Sequence, residues 1–182
     1  TLLGTIAGLI RPISGSIKVC GAKIPSKPLR GSLGYIPQKL GLVRHASVSH
    51  NVMLGARAGT SNRKERKERV TNAIEKMGLK EKSREPIRRL SGGQQRRVAT
   101  ARTLAQRPRL ILADEFLSEL DEETLTMVLE SVTSYVRENN SALIVVEHDI
   151  SRAKSMANRI LVIDDGRVNP FITEPKAMVV DS

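Results

Sequence analysis

The sequence predicts an α/β protein whose core is a parallel sheet and whose middle part is an inserted set of helices. Two continuous apolar runs, residues 110–113 and 142–146, have the length and composition of strands buried on both faces of a parallel sheet. Helical patterns follow each run, which is the alternation found in α/β folds. The middle of the chain shows no strand pattern. We therefore interpret the chain as one domain, with a helical insertion at 41–106 and an α/β core formed by 1–40 and 107–182.

The first elements of the chain are a helix and two short strands. Apolar residues fall on one helical face over residues 1–10, and Pro12 ends that helix. Residues 16–20 alternate between apolar and polar, which predicts a strand, and a second strand at 33–36 stops at Pro37. These pieces form the first part of the predicted core.

Two helical patterns, at 48–57 and 62–77, follow in the predicted insertion. The second is mostly charged, and opposite charges lie four residues apart in pairs such as Lys64 and Glu68. We interpret this segment as a solvated helix face, with an interaction arm as the alternative.

The second half of the chain alternates between helices and strands. The predicted helices cover 91–105, 122–138 and 150–157, and the predicted strands cover 110–113, 142–146 and 160–163. Asn139 and Asn140 end the second of these helices, and Asp165-Gly166 marks a turn after the last strand. This alternation predicts a parallel sheet.

The composition limits the possible partners. The chain has 30 Lys and Arg against 19 Asp and Glu, a net charge of +11. This excess indicates an anionic partner such as nucleic acid, a membrane surface or the phosphates of a nucleotide. The two Tyr and two Phe are scattered, so no platform for stacking bases is visible.

The one cysteine, Cys20, excludes an internal disulfide, and we expect it at a buried or strand position.

The stretch LSGGQQRR, residues 90–97, places two glycines at the start of a predicted helix. Ser91 is a good N-cap, and the glycines leave backbone N–H groups uncovered at the positive end of the helix dipole. A phosphate can approach such N–H groups closely because no side chain blocks them. The alternative is a Ser-Gly-Gly turn before an ordinary helix.

The stretch RLILADE ends a predicted buried strand in Asp114 and Glu115. Ligands of open α/β sheets bind at the carboxyl ends of the strands. On an extended chain the two side chains point to opposite faces, so one carboxylate would serve Mg²⁺ and the other would face an attacking water. The alternative is a solvated acidic turn.

Two further polar residues follow predicted strands. His148, in VVEHD, can hydrogen-bond a phosphate, although a lone histidine is more often a structural residue. Gln38, in GYIPQ, is by itself an ordinary polar loop residue.

The order of these stretches resembles one known family. GYIPQ, LSGGQQRR, LILADE, SELD and VVEHD follow one another as in the nucleotide-binding domain of ATP-binding cassette (ABC) proteins. The resemblance extends from residue 1 to about residue 167. It implies a P-loop NTPase (RecA-like) core with an inserted helical subdomain, ATP and Mg²⁺ as cofactors, and an ATPase that works as a dimer.

The resemblance also implies roles in a site shared by two domains. Ser91, Gly92, Gly93 and Gln94 resemble the signature that binds the γ-phosphate of an ATP held by the other domain of a head-to-tail dimer. Asp121, in SELD, resembles the loop residue that links the two sites across that dimer.

Four other residues resemble the family's hydrolytic residues. Gln38 corresponds to the glutamine that touches Mg²⁺ and the attacking water and senses the transport subunit, and Asp114 to the Mg²⁺-associated aspartate. Glu115 corresponds to the general base, and His148 to the histidine that contacts the γ-phosphate. Phe116 departs from the family's usual proline, so we expect tuning of activity rather than its loss.

One family motif does not occur in the 182 residues, the phosphate loop G-x-x-x-x-G-K-[ST]. Thr1 resembles the residue just past the Mg²⁺-binding serine of that loop. We therefore expect the chain to lack its true N-terminus and most of an N-terminal β-subdomain. We also expect residues 1–182 alone to bind ATP poorly and to hydrolyse little of it.

The function that the resemblance implies is the motor subunit of an ABC membrane transporter, at the cytoplasmic face of the membrane. Its expected partners are a transmembrane permease, a second ABC domain (identical or different), and, in an importer, a solute-binding protein. The region after GYIPQ resembles phosphonate-type importers, and no nucleic acid is expected. The alternative is a soluble ABC ATPase acting on DNA or ribosomes. Glu115 and His148 argue against a degenerate, regulatory cassette.

Overall fold

The computed structural model describes residues 2–24, 31–118 and 120–171. The chain forms two compact units, Thr1–Val145 and Val146–Ser182, and each is described by itself. Within the described ranges, no helix has the length and the apolar character needed to cross a membrane.

The elements alternate along the chain much as the sequence predicts. The helices are α1 Leu2–Ile6, α2 Val48–Gly59, α3 Arg63–Lys76, α4 Gly92–Gln106, α5 Glu122–Glu138 and α6 Ile150–Met156. The strands are β1 Ile17–Val19, β2 Ala22–Ile24, β3 Leu33–Ile36, β4 Leu110–Asp114, β5 Ala142–Val146, β6 Ile160–Asp164 and β7 Arg167–Phe171. Two short 3₁₀ turns, Lys80–Lys82 and Ile87–Arg89, lie between α3 and α4.

The sheet of the first unit places β4 between β3 and β5. Strands β3 and β4 are parallel, and Ile36 pairs with Ala113 near their carboxyl ends. Because β4 has a strand on both sides, its central residues are fully buried, which explains its continuous apolar sequence. The predicted α/β class with a parallel sheet is confirmed.

Helices α2 and α4 pack unusually close together, and glycine makes this possible. A Cβ atom at Gly55 would lie 1.8 Å from the carbonyl oxygen of Arg102, and one at Gly59 would lie 1.9 Å from that of Gln106. Both distances are far inside van der Waals contact. In residues 41–106 the structure shows only an isolated bridge, Ser47 to Pro86, and no strand. The division into core and helical insertion stays a prediction.

The second unit contains α6 and an antiparallel hairpin of β6 and β7. Asp165 and Gly166 form its turn with positive φ angles of 44° and 73°, so the predicted turn is confirmed. Several apolar side chains of the hairpin are exposed, namely Leu161, Val162, Ile163 and Val168.

The structure corrects the sequence prediction in three places. Helix α1 ends at Ile6 rather than at residue 10, because the chain turns at Gly8, whose φ is 74°. The short hairpin strands β2 and β7 were not predicted, since neither has a clear apolar alternation. Cys20 is exposed in the turn after β1, with φ 49°, so the prediction of a buried or strand position is wrong.

Candidate functional site

The carboxyl ends of β3 and β4 bring two of the predicted site residues into contact. Parallel strands end at the same edge of a sheet, and Gln38 follows β3 by two residues whereas Glu115 directly follows β4. The Nε2 of Gln38 donates a hydrogen bond of 3.1 Å to Oε2 of Glu115. A carboxylate and an amide separated by 77 residues in the sequence therefore share one edge of the sheet.

The backbone of Glu115 adopts a left-handed conformation, with φ 49°. Its carbonyl oxygen accepts three hydrogen bonds: from Arg96 Nη1 at 3.0 Å, from Ser118 N at 3.1 Å and from Ser118 Oγ at 2.9 Å. A non-glycine residue at such a φ persists only where its surroundings hold it. The expectation that Asp114 and Glu115 share an extended chain is therefore wrong, because β4 ends at Asp114.

Asp114 is partly buried at the end of β4. The pKa of the Tyr35 phenol on β3 is raised, mainly by burial and secondly by the negative charge of Asp114. The Asp114 carboxylate is therefore close enough to β3 to influence a side chain of that strand. The described residues contain no cluster of three or more His, Cys, Asp or Glu side chains that would hold a metal alone. Asp114 supplies one carboxylate here, and Mg²⁺ ordinarily takes one or two carboxylates and completes its shell with phosphates and water.

The first turn of α4 forms the capped helix start that the sequence predicts. Ser91 Oγ accepts from Gln94 N at 3.2 Å, and Gln94 Oε1 accepts from Ser91 N at 3.1 Å, which together form a capping box. In the described part of the chain, the N–H groups of Gly92 and Gly93 donate to no protein acceptor. Two uncovered N–H groups at a helix start fit an anion such as phosphate.

Asp121 is the N-cap of α5. Its carboxylate accepts a hydrogen bond of 2.9 Å from Thr124 N. This backbone bond, followed by the bond from the Thr124 side chain, lowers the pKa of Asp121. Its structural role is thus to start a helix.

His148 belongs to the second unit and is exposed between β5 and α6. The carboxylate of Glu147 orders this stretch, since Glu147 Oε1 accepts from His148 N at 3.1 Å and from Asp149 N at 3.2 Å. Asp149 in turn caps α6. The remaining candidate, Thr1, lies outside the described residues.

The structure adds three residues that the sequence prediction did not include: Arg96, Arg102 and Asn51. Arg96 is 5 % exposed and Asn51 is fully buried. The sequence did contain one indication of such residues, namely a polar residue at a helix position where the pattern requires an apolar one. The bonds of Arg96 and Arg102 join residues 19 to 62 positions apart, so the pattern alone does not identify their partners.

Comparison with known proteins assigns the chain to a family. The family model described as ABC transporter matches residues 1–118. The chain belongs to the ABC transporter family of ATP-binding domains. The domains of this family are ATPases that bind ATP with Mg²⁺, and they have the P-loop NTPase fold. The predicted family, fold class and cofactors are therefore confirmed.

Two curated relatives are import proteins. The chain is 37% identical over 167 residues to the molybdate/tungstate import ATP-binding protein WtpC of Archaeoglobus fulgidus. The aligned region covers 91% of the chain and 69% of that protein. The chain is also 37% identical over 174 residues to the methionine import ATP-binding protein MetN of Corynebacterium jeikeium, at 92% and 47% coverage. The chain thus spans about half the length of this second relative.

A solved structure extends the likeness to the fold. It is a dimeric, post-hydrolysis state of the ATP-binding cassette MJ0796 bound to ADP and Pi. The TM-score is 0.82 at 28% sequence identity, over 93% of this chain and 78% of that chain.

Proposed function

We propose that the chain is part of the ATP-hydrolysing motor of an ABC importer, and that Glu115 is its general base. The observation that carries this proposal is the 3.1 Å hydrogen bond between Gln38 and Glu115 at the edge of the sheet. In this bond, the Glu115 carboxylate is the group that can accept a proton from water, and the Gln38 amide is the group that can orient it.

The chemistry assigned to these residues is phosphoryl transfer to water. The Glu115 carboxylate takes a proton from the attacking water, and the Gln38 amide holds the carboxylate in place. Asp114, together with the side-chain oxygen of Gln38, would hold Mg²⁺. When bound, this ion neutralises the charge of the phosphates. His148 is assigned a contact with the γ-phosphate, as the family resemblance implies.

The signature at the start of α4 is proposed to serve a second ABC domain. Ser91 and Gln94 fix the first turn through their capping box, and the uncovered N–H groups of Gly92 and Gly93 would receive the γ-phosphate of an ATP held by that domain. Asp121 is proposed to contact the same dimer partner. The dimeric state of the solved relative supports this arrangement.

A basic cavity between α2 and α3 supports a docking role for the predicted helical insertion. The cavity has a volume of about 350 Å³ and is lined by Met53, Arg57, Arg63, Arg66 and Lys67. Among the described residues, the side chains of Arg57, Arg63 and Lys67 form no hydrogen bond or ion pair. Charge complementarity therefore favours an acidic cytoplasmic segment of the permease as the occupant. The proposal therefore includes a location at the cytoplasmic face of the membrane.

Import is favoured over export because both relatives are named as import ATP-binding proteins. They are molybdate/tungstate and methionine proteins, so they lend no support to a phosphonate substrate, and the proposal extends only to a small solute. A solute-binding protein would then be the further partner. The soluble alternative acting on DNA or ribosomes is not favoured by these relatives.

The test uses the full-length gene product, its permease and ATP. We expect hydrolysis that stops when EDTA removes Mg²⁺. We also expect Arg63→Glu with Lys67→Glu to weaken permease binding roughly tenfold or more. The matched control, Arg84→Glu with Arg88→Glu, changes two exposed cations outside the cavity. Hydrolysis without Mg²⁺ would contradict the motor assignment, and equal losses in both double variants would contradict the docking assignment.

A further inference from the structure

We propose that α4 positions the Gln38–Glu115 pair through two arginines, Arg102 and Arg96, which act as positioning residues. The proposal deepens the proposed function, because it rests on the hydrolytic role of that pair. In this proposal α4, the helix that begins with the signature residues, also holds the segments that follow β3 and β4 at a fixed distance from each other.

Arg102 anchors the segment that follows Gln38. Its Nη1 donates to the carbonyl oxygen of Gly41 at 2.8 Å, and its Nη2 donates to that of Leu40 at 2.7 Å. Burial lowers the pKa of the Arg102 guanidinium, which still stays protonated at neutral pH. Two short bonds from a cation fix the direction of this segment more firmly than one neutral bond would.

Asn51 of α2 anchors the same segment a few residues further along. Its Oδ1 accepts from Val43 N at 2.8 Å, and its Nδ2 donates to Val43 O at 3.2 Å and to Ser47 O at 2.9 Å. The close approach of Gly55 to the Arg102 backbone fixes α2 against α4. Residues 40–47 are therefore held from two helices that are packed so closely that their spacing cannot shrink without a clash.

Arg96 anchors the other member of the pair. It lies one turn into α4 and donates from Nη1 to the carbonyl oxygen of Glu115 at 3.0 Å. The bond helps hold the left-handed backbone that directs the Glu115 carboxylate toward Gln38. Arg96 and Arg102 of α4 thus bond Glu115 and the segment just after Gln38, and the side chains of Gln38 and Glu115 bond each other.

The signature residues stand on the same rigid element. From Ser91 to Arg102 the helix rises about 16 Å, at roughly 1.5 Å per residue. A displacement of the first turn of α4 is carried along the helix to both arginines. Occupation of the signature is therefore linked to the spacing between Gln38 and Glu115 in the same chain.

The test compares Arg102→Gln with Arg69→Gln. Arg69 is a matched control, because it also donates to a backbone carbonyl of α4, that of Gln106 at 3.1 Å, but it comes from α3 and lies away from the pair. The readout is the backbone ¹⁵N order parameter of residues 39–42. In Arg102→Gln we expect it to fall from about 0.85 to below about 0.6, with no such fall in Arg69→Gln. Arg102→Lys, which keeps the charge, should restore part of the order.

A second readout follows the side-chain amide of Gln38 by NMR. Where Arg102 is intact, Glu115→Gln should shift the resonance of the Gln38 amide, since the two side chains are bonded. In an Arg102→Gln background, Glu115→Gln should not shift that resonance. Neither readout needs hydrolysis, so a failure of the proposed ATPase activity would be distinguishable from a failure of the positioning role.

With active protein, Arg102→Gln should lower kcat roughly tenfold in the presence of Gln38 and have no further effect in a Gln38→Ala background. Loss of order at 39–42 in both Arg102→Gln and Arg69→Gln would overturn the proposal. So would equal reductions of kcat by Arg102→Gln in both backgrounds.

Discussion

Strands β4 and β6 have almost the same sequence pattern and very different surroundings. Each has five residues, ends in an aspartate and is followed by an acidic residue in the left-handed region, Glu115 with φ 49° or Asp165 with φ 44°. Strand β4 lies between two strands, whereas β6 pairs with β7 in a hairpin. The two regions share a local pattern but differ in their strand partners.

The difference lies in what each strand end contacts. Glu115 accepts from Gln38 at the end of a parallel neighbour and from Arg96 of a buried helix. Asp165 instead forms a two-residue turn with Gly166, and Asp164 pairs with Arg167 of the same hairpin. An acidic pair after an apolar strand therefore becomes a candidate catalytic site only where a parallel strand brings a second polar end beside it.

The largest expected effect comes from removing the proposed base. Glu115→Gln keeps the size of the side chain but cannot accept a proton, so we expect ATP hydrolysis by the full-length protein to fall about 10²- to 10⁴-fold. Asp165→Asn, the equivalent change at the end of β6, should leave the rate unchanged. Steady-state phosphate release measures both, and equal rates for the two variants would refute the assignment of Glu115.

A smaller effect is expected from truncating the strands themselves. Leu112 of β4 is fully buried and Leu161 of β6 is 57% exposed. We expect Leu112→Ala to lower the free energy of unfolding by about 2–5 kcal/mol. Leu161→Ala should change it by no more than about 0.5 kcal/mol. Urea unfolding followed through amide signals in each strand tests this, and a comparable loss at Leu161 would show that β6 is buried in solution.

The smallest effect concerns the acid sensitivity of the first unit. The folded-state pKa of Asp121 is lowered, so this group stabilises the fold above its unfolded pKa, and the contribution is lost as the pH falls below about 4. Asn is an equally good N-cap but does not titrate. Between about pH 4 and pH 2, Asp121→Asn should therefore lose less stability than the unmodified chain. Superimposable acid unfolding profiles would contradict this.

Much of α4 could be predicted because the signals are local. Ser91, two glycines and Gln94 are within one turn of each other, and a capping box needs no distant partner. The predicted start and end of this helix differ from the observed ones by one residue. The conformation of Glu115 could not be predicted in the same way, because one of the bonds that hold it comes from Arg96, 19 residues earlier on α4.

The sequence by itself determined the α/β class, most elements, the Ser91 cap of α4 and the family, since periodicity, capping and motif order are properties of neighbouring residues. The tertiary structure alone decided that Gln38 contacts Glu115 and that Arg102 reaches Leu40 and Gly41. These outcomes depend on bonds between residues up to 77 positions apart. Such bonds form only when packing has fixed the spacing of strands and helices, and no local pattern specifies that spacing.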